Sequence, residues 1–279
     1  IQMLSKLLKY EFKATSRVFL PAYAVLLIAG AIQKIMLQFG FYNKDMGVFS
    51  KILGSLIPSL LGAAVVAIFV VTLVVMINRF RKSLLGREGY LMFTLPVNTS
   101  QLILSKAIAV LAWAILSCII GLITVVILVY DTDFVNFVND AIGLVGEASR
   151  QAGASNVVLF FIETVLTFIF GIVNLTFMIY LCLSIGQLSN KHRGLCAIGA
   201  FVGINFVLRN IILAIISNVL FTDKFVPPFY LCGYDTASIV GILQMMNAFM
   251  LAGLVIVIIE LLIYFFITKY ILSNKLNLE

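Results

Sequence analysis

Four charged residues stand inside long apolar stretches of this chain, where charged side chains are rare and mark either a functional site or a structural pair. They are Glu163, Arg209, Glu260 and Lys34. If the stretches are membrane helices, Glu163 and Arg209 both fall about 10 Å below the same surface, with Lys34 near that level. We therefore predict an intramembrane ion pair between Glu163 and Arg209. Glu260 lies deeper with no charge at its level, so we predict that it lines a water-filled pathway.

Residues for catalysis, nucleotide binding or metal binding are not arranged in any familiar pattern. The sequence contains no GxxxxGK[ST] phosphate loop, so ATP hydrolysis requires another chain. His192, the only histidine, lies in a short basic stretch that is typical of a solvated loop. The cysteines Cys118, Cys182, Cys196 and Cys232 show neither metal-ligand spacing nor a disulfide framework. We expect no enzyme active site, cofactor or metal in this chain.

The composition is that of an integral membrane protein. Of 279 residues, 62% are hydrophobic and 11% charged, whereas soluble domains carry roughly 25% charged residues. The apolar residues form runs of about 20 or more, which indicates membrane helices and not the alternating strands of a barrel. The net charge of +7 comes from basic residues at the ends of these runs, as orientation signals do. We therefore do not expect nucleic-acid binding.

The pattern predicts an all-α bundle of six transmembrane helices in one domain, residues 1–279. The predicted transmembrane helices cover residues 18–39, 55–77, 102–129, 157–183, 195–220 and 247–270. Basic residues lie on one side of these helices and acidic residues on the other, which predicts that both termini are cytoplasmic. No repeat relates the first three helices to the last three, and this argues against an inverted-repeat transporter.

Three further segments flank the predicted transmembrane helices. Residues 1–17 predict an amphipathic helix in the membrane interface, because basic and apolar residues occupy different faces. Its basic residues are Lys6, Lys9, Lys13 and Arg17. The spacing of apolar residues within 131–156 predicts an amphipathic helix at the outer surface. Residues 221–246, broken at Pro227 and Pro228, predict an outer segment too short to cross the membrane.

The cytoplasmic segment over residues 78–101 contains a predicted docking element of about two helical turns between Gly86 and Pro96. Its apolar side chains would face water unless another protein covers them. The docking residues are Glu88, Gly89, Tyr90, Leu91, Met92 and Phe93. The alternative is that these aromatic and aliphatic residues rest in the lipid interface.

Gly199 and Gly203 form a GxxxG pattern in the fifth predicted transmembrane helix. This spacing lets two helix backbones approach closely. Packing within one subunit and packing between two subunits are both consistent with it.

Three short segments carry a resemblance to a known family: Arg87–Leu91, Leu95–Val97 and Gln101–Lys106. Together with the six-helix layout, they resemble one family. It is that of the transmembrane permease subunits of type-2 ATP-binding-cassette (ABC) exporters, particularly bacterial permeases that pair with a separate ATPase. The resemblance implies a bacterial plasma-membrane protein that docks ATPase subunits and pairs with a second permease copy, identical or related. It also implies that the N-terminal helix and the docking turn contact the ATPase, and that ATP and Mg bind only to the ATPase. The second and fifth helices would face each other across the two-subunit axis.

The sequence alone is consistent with three functions. The first is an exporter permease driven by a separate ATPase. The alternatives are a secondary transporter or channel that works without ATP, and a scaffolding membrane protein. Neither alternative has an evident need for exposed apolar residues such as Tyr90 and Leu91 in the cytoplasm. Lipids, peptides and hydrophobic drugs are equally suitable as substrates.

Overall fold

The computed structural model describes residues 2–39, 47–86, 89, 98–189, 191–221 and 239–274. All regular elements within these ranges are helices, and none of the described residues forms a strand. Six of the helices are long and apolar enough to cross a membrane. The prediction of an all-α protein with six membrane-spanning helices is confirmed to this extent.

The described part of the chain forms seven α-helices and one π-helix. In chain order they are α1 (Gln2–Gln38), α2 (Gly47–Phe80), a π-helix (Arg81–Leu85), α3 (Thr99–Val129), α4 (Thr132–Ala152), α5 (Ala154–Gln187), α6 (Arg193–Phe221) and α7 (Ile239–Asn274). The six candidate membrane spans lie in α1, α2 with its π-helix, α3, α5, α6 and α7. Each overlaps one of the predicted transmembrane ranges.

Several boundaries differ from those predicted. Residues 1–17 and 18–39 were predicted as separate elements, but α1 continues through both, since neither Gly nor Pro occurs between Gln2 and Leu20. Helical structure also extends to Leu85, well into the predicted cytoplasmic segment. The predicted amphipathic helix over residues 131–156 is present as α4, and Gly153 follows it with a left-handed φ of 83°. Residues 222–238, most of the predicted broken outer segment, lie outside the described residues.

The chain divides into two compact units, and the first contains α1, α2 and α3. Its core is built from Phe19, Tyr23, Leu26, Ile68 and Trp113. The ring of Phe19 stacks on that of Trp113, with 4.7 Å between centroids and 12° between planes. Contacts between α1 and α3 follow the same order along both helices. Thr15 contacts Trp113, and further along Lys34 contacts Tyr130. Helices α1 and α3 therefore run parallel.

The second unit contains α5, α6 and α7. Helix α5 packs along α7, with Asn156 beside Asn247 near one end and Phe177 against Phe265 further along. Both helices therefore run in the same direction. The short connection after α5 turns the chain back into α6, so that α5 and α6 are antiparallel neighbours.

Candidate functional site: an ion-pair cluster and the polar groups between helices

The carboxylate of Glu11 lies between two basic side chains from different helices. Its Oε1 is 2.7 Å from Nζ of Lys106 in α3, and its Oε2 is 3.3 Å from Nε of Arg79 in α2. The side chain of Lys106 is only 3% exposed and that of Glu11 is 11% exposed. We call these three residues the Glu11 cluster. It joins all three helices of the first unit through one acidic group.

Glu11 was not singled out by the sequence prediction, although a signal was present. It is the only acidic residue in the first 44 positions. It also begins the buried face of α1, which continues at helical spacing through Thr15, Phe19 and Tyr23. An acid on the buried face of an otherwise basic segment requires a cationic partner. Lys106 and Arg79 supply it.

Hydrogen bonds continue from the Glu11 cluster along the contact between α1 and α3. The hydroxyl of Thr15 donates to the main-chain carbonyl of Glu11 at 2.8 Å and accepts from the indole N–H of Trp113 at 2.7 Å. About two turns further along α1, the hydroxyl of Tyr23 lies 2.7 Å from that of Ser117 and donates to the carbonyl of Trp113 at 3.2 Å. These directional bonds fix the register of α1 against α3.

Lys34 lies at the other end of α1 and binds the last turn of α3. Its Nζ donates to the main-chain carbonyls of Leu128 at 3.2 Å and Tyr130 at 2.7 Å. A cation is favoured there, because the final carbonyls of a helix lack intrahelical partners and carry partial negative charge. Lys34 lies about 34 Å beyond Glu11 along the helix, close to the roughly 30 Å thickness of a hydrocarbon core. Polar anchors therefore mark both ends of the α1–α3 contact.

The structure does not contain the predicted ion pair between Glu163 and Arg209. Both residues are described, but Glu163 is buried on α5 whereas Arg209 is exposed on α6. The main-chain carbonyl of Asn156 in α5 accepts a hydrogen bond from the side-chain amide of Asn247 in α7. Glu163 follows Asn156 by two helical turns and therefore lies on the same face of α5, which is turned towards α7. The Oε2 atom of Glu163 has no hydrogen-bond partner among the described residues.

Glu260 has a partner in α5. Its Oε2 accepts a hydrogen bond of 2.8 Å from the side-chain amide of Asn174. The remaining amide oxygen of Asn174 is buried and has no partner within the described part of the chain. Glu260 itself is partly exposed. Its predicted role in a water-lined pathway stays a prediction.

Gly199 and Gly203 lie on an open face of α6. Both are exposed, and a Cβ added to either would meet nothing within 4 Å among the described residues. The described part of the subunit thus offers neither glycine a close helix partner. Packing within one subunit, against residues outside the described ranges, and packing between two subunits both stay predictions.

The close approach of backbones occurs instead at Gly186, near the end of α5. A Cβ placed there would lie 2.6 Å from the carbonyl oxygen of Arg193 and 2.7 Å from the Cβ of Ala197. Glycine at this position allows the chain to turn tightly from α5 into α6. This close approach could not be predicted from the sequence, because an isolated glycine near a helix end has many possible causes.

We expect Gly186→Ala to destabilise the protein by about 1–3 kcal/mol, since the new methyl group meets backbone that cannot move aside easily. Gly171→Ala is the matched control in the same helix, where an added Cβ meets nothing within 4 Å. It should be neutral or stabilising by up to about 1 kcal/mol. Thermal unfolding in detergent measures both variants, and equal melting temperatures would contradict the prediction.

Most of the predicted docking element lies outside the described residues. Of its six residues only Gly89 is described; Glu88, Tyr90, Leu91, Met92 and Phe93 are not. Gly89 is buried, and its N–H donates to the carbonyl of Gly86 at 2.9 Å. The π-helix ends one residue before Gly86, and π-helical turns are frequent at functional positions in helices.

Metal chemistry receives no support from the described ranges, in which no three residues among His, Cys, Asp and Glu are grouped to hold an ion. The described polar groups instead join neighbouring helices and fix their register. No family model matches the chain, and neither the curated proteins nor the solved structures include a match.

Proposed function

We propose that this chain is the membrane-spanning permease subunit of a type-2 ABC exporter. It would form the substrate pathway and couple it to ATP hydrolysis on a separate ATPase chain. The observation that carries this proposal is the Glu11 cluster, considered together with the exposed apolar residues predicted for the cytoplasmic segment.

The position of the cluster suits mechanical coupling. Arg79 lies at the end of α2 and Lys106 in the third turn of α3, so the two residues flank the predicted docking element in sequence. Both are held by the carboxylate of Glu11 in α1. A partner that displaced the docking element would therefore move three membrane helices together. The short, buried pair of Glu11 and Lys106 resists separation of α1 and α3, because breaking it parts two opposite charges that little solvent can reach.

The remaining features of the proposal follow the family resemblance and the distribution of charge. Both termini would be cytoplasmic, and the first turns of the continuous helix α1 would lie at the membrane interface. The membrane would be the bacterial plasma membrane. ATP and Mg would bind only to the ATPase. A second permease copy, identical or related, would complete the pathway, and the exposed Gly199 and Gly203 face of α6 is available for it.

Purification of the tagged chain from its native membranes in mild detergent tests this function. We expect an ATP-binding-cassette ATPase to copurify, because the docking element would otherwise expose apolar side chains to water. Native mass spectrometry should find two permease chains and two ATPases in the complex. A transport-competent assembly of one permease and one ATPase would contradict the paired arrangement, and transport without any ATPase would contradict the function.

A secondary transporter is the second candidate, and the polar groups between α5 and α7 favour it. Glu163 is a buried carboxylate whose Oε2 lacks a partner within the described ranges, and Glu260 is bonded to Asn174 at membrane depth. Such carboxylates often mark proton or ion pathways. Transport by the purified chain in vesicles that contain an ion gradient but no ATP would select this candidate.

A further inference from the structure

The basic residues of the first part of α1 lie on one open face of the helix. Lys6, Lys9, Lys13 and Arg17 recur every three or four positions and are all exposed. None of them belongs to an ion pair among the described residues. The neighbouring acid, Glu11, is on the buried face and bound to Lys106 and Arg79. We call these four exposed residues the basic stripe; it carries four positive charges over about 16 Å of helix, and no described acidic residue pairs with them.

The basic stripe straddles the level at which α1 begins its contact with α3. Glu11 and Lys34 mark the two ends of that contact, about 34 Å apart. Lys6 and Lys9 precede Glu11 by about 3–8 Å, and Lys13 and Arg17 follow it by about 3–9 Å. The stripe is thus centred on the boundary of the span and does not lie wholly in water. Long basic side chains below this boundary can extend their charges back towards it.

We propose that the basic stripe binds the headgroup phosphates of anionic phospholipids in the adjacent leaflet. Phosphates of that leaflet lie just outside this boundary, beside Lys6 and Lys9 and within reach of the extended side chains of Lys13 and Arg17. Their negative charge complements the four cations. Tyr10, 72% exposed beside the stripe, is an aromatic residue suited to the same interface. Because Glu11 holds α1 to α2 and α3, the bound lipids would tether the whole first unit. The inference requires only that α1 spans the membrane and does not depend on an ATPase.

An acidic protein surface, including that of an ATPase, is the competing occupant. A protein in the cytoplasm would reach Lys6 and Lys9 more readily than Lys13 and Arg17, which lie on the membrane side of Glu11. The four residues contribute equally to the binding affinity only if the ligand lies within the headgroup layer. The position of the stripe therefore favours lipid, and individual substitutions distinguish the two occupants.

The test compares the full-length chain with a variant in which Lys6, Lys9, Lys13 and Arg17 are all replaced by Gln. Each protein, purified without partners, is titrated with phosphatidylglycerol and with phosphatidylcholine, and bound lipids are counted by native mass spectrometry. The control variant replaces Arg81, Lys82, Lys191 and Arg193 by Gln, which removes the same charge from other exposed positions. We expect the stripe variant to lose at least about tenfold in apparent affinity for phosphatidylglycerol. Binding of phosphatidylcholine should not change.

Equal affinity of the stripe variant and the wild type for phosphatidylglycerol would overturn the proposal, as would an equal loss in the control variant. A loss confined to Lys6→Gln and Lys9→Gln, accompanied by loss of a copurifying protein, would assign the stripe to a protein partner. A variant that exchanges Lys for Arg and Arg for Lys at all four positions should keep its lipid affinity. If the stripe variant does not fold, the single substitutions decide: each should lose two- to threefold, roughly equally, and no loss in Lys13→Gln and Arg17→Gln would overturn the proposal.

Discussion

Replacement of Glu11 by alanine is expected to lower the free energy of unfolding by about 3–5 kcal/mol, because the buried ammonium group of Lys106 would lose the close contact with this carboxylate. The Lys106 side chain is 3% exposed and lies 2.7 Å from Glu11. Little solvent can reach it to replace the lost partner. Equilibrium unfolding in mixed micelles measures the loss, and the reduced stability should also appear as a lower melting temperature.

Two further variants separate the contributions of Lys106 and Arg79. The side chain of Arg79 is 36% exposed, so Arg79→Gln should cost less than about 1 kcal/mol, as expected for a solvated pair. Combining Glu11→Ala with Lys106→Met removes both buried charges of the pair and should recover part of the loss. Lys13→Ala, at an exposed position of the same helix, is the control. If Glu11→Ala proves as mild as Lys13→Ala, the Glu11 cluster does not hold the helices together.

The membrane-spanning helices could be predicted from sequence because the thickness of the bilayer sets their length. A run of about 20 apolar residues has few alternatives to a spanning helix, and its ends are marked by basic residues. Helix α4 could be predicted because its apolar residues recur at helical spacing. The continuity of α1 through residue 17 was missed, since the change from basic to apolar composition suggested two elements where the backbone has one.

Partners between helices were harder to predict, because depth in the membrane does not determine rotation about the helix axis. Glu163 and Arg209 come out at similar depth, yet one faces α7 and the other is exposed on α6. Conversely, Glu11 and Lys106 are 95 residues apart in sequence, and their contact follows only once α1 and α3 lie parallel. The need for glycine at position 186 was hard to predict for the same reason, since it comes from residues of the next helix, α6.

The second large effect is expected at the predicted docking element, where Tyr90→Asp combined with Leu91→Asp should abolish ATPase association or its coupling to transport. Both residues lie outside the described part of the chain, so the expectation rests on the sequence and on the described residues around them. Buried apolar contacts dominate interfaces of this kind, and an aspartate in such a contact loses its hydration without gaining a partner. Pull-down of the ATPase and transport in membranes with matched expression measure the two parts of the effect.

The control places aspartate at the far end of α3, as Val129→Asp with Tyr130→Asp, because these two side chains are exposed and match Leu91 and Tyr90 in chemical type. The control variant should bind the ATPase as the wild type does, since the Glu11 cluster and Lys34 place the two ends of α3 at opposite sides of the span. If Tyr90 and Leu91 rest in the lipid interface instead, their aspartate variant should weaken insertion but leave association intact in the fraction that inserts. Normal association together with normal transport in the Tyr90 and Leu91 variant would show that the ATPase docks elsewhere. Loss of both ATPase association and transport in that variant, with the control variant unaffected, would place the docking contact between Arg79 and Lys106 in the sequence. From there the Glu11 cluster can pass its movement to α1, α2 and α3.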